Sequence, residues 1–137
     1  MTKQPRGIRN NNPGNIRNSE ANDWKGEVAK ADKNDKAFEE FESMPHGVRA
    51  MMKLLQKYQR THNLHTVMDL VERWAPRNEN NTAGYVRTVC REMEVPECCG
   101  LDLTDKGTMC ALVDAMCDVE NGEHIPMADI EAGWEML

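Results

Sequence analysis

From His46 onward the apolar residues recur with the 3.6-residue period of an α-helix, and the points where that period breaks leave room only for several short helices. Val48, Met51, Met52, Leu55 and Tyr58 fall on one stripe, and Val67, Leu70, Val71 and Trp74 form a second that ends at Ala75-Pro76. Thr82 can cap a third helix with Tyr85, Val86, Val89 and Met93 turned inward, until Pro96 stops it. Thr104 or Asp105 can cap a fourth running to Asn121-Gly122, a pair suited to a left-handed C-terminal cap. A fifth, short helix is expected from Pro126, carrying Ile130 and Trp134.

The chain ahead of His46 reads differently. Residues 7–17 are turn-forming throughout, because Asn and Gly tolerate positive φ and Asn-Pro starts turns, and read as an ordered loop or a tail, with residues 1–11 a candidate flexible tail. Two short runs, residues 24–29 and 36–42, are joined by a charged linker with Asp32, Lys33, Asn34 and Asp35, and read as a solvent-exposed β-hairpin, although Glu39-Glu40 is not strand-like. The expected fold class is therefore mainly α (α+β), one helical domain over residues 1–137 with a short β-hairpin.

Composition narrows the function classes. With 137 residues, 39% of them hydrophobic, the chain can bury one modest core and has no room for a second domain. The formal charge of −6 argues against a nucleic-acid partner, since neutralising phosphates needs a basic face; only Lys3, Arg6, Arg9 and Arg17 make the start locally basic. No apolar run approaches the roughly 20 residues that cross a bilayer, and the Asn-rich start lacks a signal-peptide core, so synthesis in the cytoplasm without a membrane partner is expected. Monomeric behaviour is expected as well.

Five cysteines, Cys90, Cys98, Cys99, Cys110 and Cys117, are an odd number and read as reduced thiols. They contain no Cys-x-x-Cys pair, which disfavours a zinc site built from Cys98, Cys99, Cys110, Cys117 and His124, and neither a metal nor an organic cofactor is expected. His46, His62, His65 and His124 show no triad-like setting, which disfavours cysteine protease or amidase chemistry.

One residue breaks the helical pattern. At about 100° per residue, Met109, Val113, Met116 and Cys117 lie within roughly 60° of Glu120, so this carboxylate continues the apolar stripe while Asp114 and Asp118 point away. Desolvation and the negative end of the helix dipole both disfavour its ionised form. A glutamate kept protonated near neutral pH is what a general acid needs to protonate a glycosidic oxygen. The plainer alternative is a frayed helix end from which Glu120 reaches water.

The stretch Ala111-Leu-Val-Asp-Ala-Met-Cys-Asp-Val-Glu120-Asn-Gly122 resembles the catalytic helix of lytic transglycosylases and goose-type lysozymes, where an apolar helix ends in a Glu-Ser-Gly-like turn and the glutamate is the acid/base; here Asn121 replaces the serine. A second resemblance covers the N-terminal two-thirds. Asn12-Pro-Gly-Asn-Ile-Arg17, Trp24-Lys-Gly26, Phe38-Glu-Glu-Phe-Glu-Ser43, Gly47-Val-Arg-Ala50, Trp74-Ala-Pro and Asn80-Asn-Thr-Ala-Gly-Tyr85 look like the segments that follow the catalytic glutamate in autolysin-type glucosaminidases. The whole chain also looks like phage and prophage virion or lysis proteins that open with Arg-Gly-Ile-Arg-Asn-Asn-Asn-Pro-Gly-Asn-Ile-Arg. In the glucosaminidases and transglycosylases the catalytic helix comes first. Here it comes last, so a circular permutation of a lysozyme-like domain is what would return Glu120 to the side of the hairpin and Tyr85.

The resemblance implies cleavage of peptidoglycan glycan strands, as a muramidase, glucosaminidase or lytic transglycosylase, with Glu120 as general acid/base and Tyr85 orienting substrate or acid. It also implies action at the cell wall, as a virion component, a lysis protein released by a holin-type route, or a secreted antibacterial effector. Asn15 and Asn80 can match N-acetyl groups, amide to amide, and Trp24 can stack on a sugar face. Trp74 lies on an apolar stripe and reads as core. Glu42, with Glu27, Glu39 and Glu40, is a candidate for the second carboxylate. The rival expectation is a non-catalytic phage virion or assembly protein that keeps such a scaffold for binding.

Overall fold

Six α-helices carry the fold over residues 4–137, the residues that the computed structural model describes: α1 (Arg6–Arg9), α2 (Met44–His62), α3 (Val67–Trp74), α4 (Thr82–Met93), α5 (Lys106–Asn121) and α6 (Met127–Glu135). The mainly α class holds. The caps explain most of the boundaries. Ser43 accepts a hydrogen bond from the His46 amide at the start of α2, Thr66 from Asp69 at α3, and Asp105 from Thr108 at α5. Gly122, at φ 72°, closes α5 in the left-handed conformation expected of the Asn-Gly pair.

Two boundaries differ from the sequence reading. Asn81, not Thr82, caps α4 by accepting from the Gly84 amide, while the Thr82 hydroxyl donates to the Ala75 carbonyl. The same helix ends at Glu94 in the left-handed region, φ 58°, two residues before Pro96 can act.

α5 is the central helix. It packs on α1, α2, α4 and α6, and Met109, Leu112, Val113, Met116 and Cys117 bury different sides of it. Around it the stripes of α2 (Val48, Met51, Met52, Leu55), α3 (Val67, Leu70, Val71) and α4 (Val86, Val89) close one core with Ile130 of α6. A smaller cluster of Ile16, Phe41 and Ala50, with Trp24, Leu54 and Trp74 against it, joins the N-terminal segment to α2.

The expected hairpin is reduced to isolated antiparallel bridges, Glu27 with Phe41 and Arg17 with Phe38, around a single 3-10 turn at Lys30–Asp32. Its reason is visible in the side chains. Glu39 and Phe41 both point inward, and Glu39, fully buried, accepts from Asn22 at 2.8 Å and pairs with Lys30 at 2.9 Å and Lys33 at 3.3 Å. The segment is held by this ion-pair knot together with a few backbone bonds, Val28 to Glu40 and Glu42 to Gly26 across the two runs and Glu39 to Ile16 beside them, too few to make continuous strands.

Of the two readings of the N-terminal segment, the described residues show the ordered loop, and residues 1–3 of the candidate tail lie outside them. Residues 5–12 are docked: Asn12, with no exposed surface, donates to the carbonyls of Ile16 and Glu39 and accepts from the Ile16 amide, and Asn11 donates to the Phe41 carbonyl. α2 approaches this loop so closely that a Cβ at Gly47 would stand 1.9 Å from the Asn11 carbonyl oxygen, so only glycine fits there.

Candidate functional site

The turn of residues 12–17 lies against the C-terminal end of α5, and three hydrogen bonds fix it there. The Asn121 amide donates to the Pro13 carbonyl at 2.9 Å, the Trp74 indole donates to the Gly14 carbonyl at 3.1 Å, and Asn15 donates to Glu120 Oε1 at 3.0 Å. Asn15 reaches the carboxylate because its backbone is left-handed, φ 51°, a conformation that asparagine tolerates better than most residues. Gly14 must be small, since a Cβ would stand 2.6 Å from the Trp74 ring. Asn121, the residue in the serine position of the resembling motif, therefore serves as the anchor of this turn.

Tyr85, on the first turn of α4, donates its hydroxyl to Glu120 Oε2 at 2.9 Å. Glu120 thus has one donor on each oxygen. Burial nevertheless pushes its pKa above the ordinary carboxylate value, with the bonds from Asn15 and Tyr85 and the nearby Trp74 indole pulling partly back. The Tyr85 phenol, almost wholly buried beside that carboxyl, is raised well above its usual value and stays a neutral donor.

Glu120 faces two cavities. The larger, about 540 Å³, is walled by Trp24, Tyr58, Trp74, Phe38 and the 14–19 turn; the smaller, about 460 Å³, by Tyr85, Gly84 and Thr88. Glu120 and Asn80 line both, so Glu120 stands where the two meet. Two polar atoms of residues around the larger cavity, Asn15 Oδ1 and Trp24 Nε1, are buried and make no hydrogen bond within the protein.

The structure therefore gathers Glu120, Tyr85, Asn15, Asn80 and Trp24, and it leaves Glu42 out. Glu42 is exposed and faces His46 at 3.5 Å. Glu27 and Glu39 are tied to Lys30, and Glu40 accepts the amides of Asn34 and Asp35. None of the four lines either cavity. Glu79, on the α3–α4 loop, is the carboxylate besides Glu120 that does; so do Arg6 and Arg17. Trp74 belongs both to the core and to the cavity wall. Loop positions carry no periodic signal, and nothing in the residue pattern points to Glu79, while Arg17 stands out only as part of the locally basic start.

All five cysteines are free thiols, with Cys90, Cys110 and Cys117 buried. A separate cluster joins α4 and α5 to the loop after α5: His124 Nδ1 lies 2.9 Å from Asp114, and its Nε2 lies 3.5 Å from both Glu92 and Asp118. It involves none of the five cysteines. No helix among the described residues is long and apolar enough to cross a membrane.

No family model matches the chain. It is 37% identical to Protein P5 of Pseudoalteromonas phage PM2 over 140 residues, an alignment that covers 98% of this chain and 83% of that protein. The chain belongs to the family of that bacteriophage protein.

Proposed function

We propose that this member of a bacteriophage protein family cleaves the glycan backbone of peptidoglycan, with Glu120 as the general acid/base and a lysozyme-like arrangement of the domain. One observation carries the reading: a largely buried carboxyl, raised in pKa and held by a donor on each oxygen, at the junction of two cavities. A strand laid through both cavities would cross Glu120 in mid-chain. There the protonated carboxyl can pass its proton to the bridging oxygen as the C–O bond breaks.

Proton transfer leaves a carboxylate, and the two donors then gain strength. Tyr85 and Asn15 make charge-assisted bonds to the newly formed anion, which favours the transition state over the ground state. Asn15 Oδ1 and Trp24 Nε1, an unused acceptor and an unused donor, match the N–H and C=O of a sugar acetamido group. Asn80, at the junction, is a further amide on the strand's path.

Glu79 replaces Glu42 in the role of the second carboxylate. Hydrolysis with inversion would use it to draw a proton from attacking water, whereas attack by the substrate's own acetamido or hydroxyl group would leave it idle. Purified peptidoglycan digested with wild type and Glu120→Gln, with products identified by mass, tests the reading. Reducing-end products indicate hydrolysis and 1,6-anhydro products indicate transglycosylation. Loss of activity in a variant that still folds supports the assignment. Undiminished activity in Glu120→Gln overturns it, and inactivity of the wild type assigns the fold to a non-catalytic virion or assembly role.

A further inference from the structure

The larger cavity carries positive charge that the cleavage chemistry does not use. Arg6 and Arg17 both line it in a protein whose formal charge is −6, and both guanidinium groups stack on the ring of Phe38, 4.7 and 4.9 Å from its centroid. The two arginines are not equivalent. Arg6 pairs with Asp35 at 3.2 Å, and Asp35 is held ionised, despite some burial, by Asn10, two backbone amides and Arg6 itself. Arg17 has no carboxylate within ion-pair distance among the described residues, and its side chain is exposed.

Stacking on Phe38 holds the Arg17 fork in place without consuming its hydrogen-bond donors. Arg17 stands two residues after Asn15, so the turn that orients Glu120 also sets this cation at a fixed offset from it. Asn22, on the same wall, donates its amide to the Arg17 carbonyl at 3.2 Å and so helps to fix the backbone that carries this cation. Such a site suits a planar carboxylate, which a guanidinium binds through two parallel bonds.

Resting on the reading of Glu120 given above, we propose that Arg17 binds a carboxylate of the peptide side chain that peptidoglycan strands carry, so that the protein selects peptide-bearing strands over bare ones. In a peptide-bearing strand the sugar backbone is neutral, because its acetamido groups carry no charge and each lactyl carboxyl is tied up in the amide to the peptide. The carboxylates of the substrate lie on its peptide branches, to one side of the strand. A cation on the cavity wall, offset from the acid, is placed to meet a branch rather than the scissile link.

The test compares equilibrium binding of soluble disaccharide-peptides and of the same disaccharides stripped of peptide with the lactyl carboxyl capped as a simple amide, for wild type, Arg17→Gln and Arg17→Lys, with thermal melts to confirm folding. Wild type should bind the peptide-bearing form about tenfold more tightly. Arg17→Gln should lose that preference while keeping its affinity for the stripped form, and Arg17→Lys should keep part of it. Equal affinity of the wild type for the two forms, an Arg17→Gln loss that is the same for both, or no binding of either overturns the proposal. So does a DNA oligomer binding that depends on Arg17 without peptide discrimination, which would assign the cation to phosphate. Because the readout is binding, it stands apart from cleavage: failure of Glu120 as the acid leaves the peptide preference intact, and failure of the preference leaves Glu120 intact.

Discussion

Asn15 Nδ2 donates to Glu120 Oε1 at 3.0 Å across 105 residues of sequence, and this bond joins the two halves of the site. Asn15 is on a loop near the start of the chain, and Glu120 is on the last turn of the central helix. Their meeting depends on Asn121 and Trp74, which hold the carbonyls of Pro13 and Gly14 on either side of the reach. The acid is thus positioned by backbone bonds of the loop as much as by its own helix.

Glu120→Gln should reduce cleavage by about 10² to 10⁴-fold, the usual worth of a positioned general acid. The same substitution should raise stability. Glu120 has a folded pKa above its unfolded value, so its ionisation costs stability as pH rises through the folded pKa. The variant should melt higher than wild type at alkaline pH, by about 1 kcal/mol, and the two melts should converge in acid, where Glu120 is protonated in both states. A gap that is constant across pH would contradict the raised pKa.

Tyr85→Phe removes the hydroxyl on Glu120 Oε2 and little else. That donor favours the ionised carboxylate, so its loss moves Glu120 further up and shifts the alkaline limb of the pH–rate profile to higher pH. The maximal rate should fall about tenfold, because the conjugate base loses a charge-assisted bond as it forms. An unmoved alkaline limb would mean that another group sets it.

Helix stripes were legible because burial imposes a period. Val48, Met51, Met52 and Leu55 could be placed inward from spacing alone, and Glu120 stood out because it occupies a core-facing position of the same kind. The partners of Glu120 were not legible from period. The resemblance to enzyme families points to Tyr85, and amide matching points to Asn15 as a partner for acetamido groups; the structure puts both on the carboxyl. Glu42 was misplaced for a local reason: inward and outward side chains alternate along residues 39–42, so Glu39 and Phe41 turn in while Glu42 turns out. Glu39 looked unsuited to a strand because its compensation, Lys30 and Lys33, comes from the linker.

Glu39→Ala should destabilise the fold by about 3 to 5 kcal/mol, since it leaves the Lys30 and Lys33 charges around a buried, unpaired site. Burial alone would raise Glu39, but Lys30, Asn22 and Lys33 hold it below the ordinary glutamate value. A carboxyl lowered in the folded state stabilises above its unfolded pKa and loses that contribution as pH falls through the folded one. Acid unfolding followed by circular dichroism should therefore be less steep in Glu39→Gln than in wild type. Equal slopes would place the acid sensitivity elsewhere.

The cluster around His124 predicts the opposite pH trend. His124 is raised above its usual value of 6.5, first by its bond to Asp114 and then by the charges of Asp114, Asp118 and Glu92. Its contribution is fully present below the unfolded pKa and is lost as pH rises through the folded one. Glu92, pushed up to about 7 by burial and by Asp118, acts in the same sense, because its ionisation above that pH costs stability. The loop after Gly122 should therefore loosen from the α4–α5 pair as pH rises through neutrality. Melting temperatures of wild type and His124→Gln should differ most on the acid side of pH 7 and converge above it, and a difference independent of pH would rule out a charged imidazole as the link.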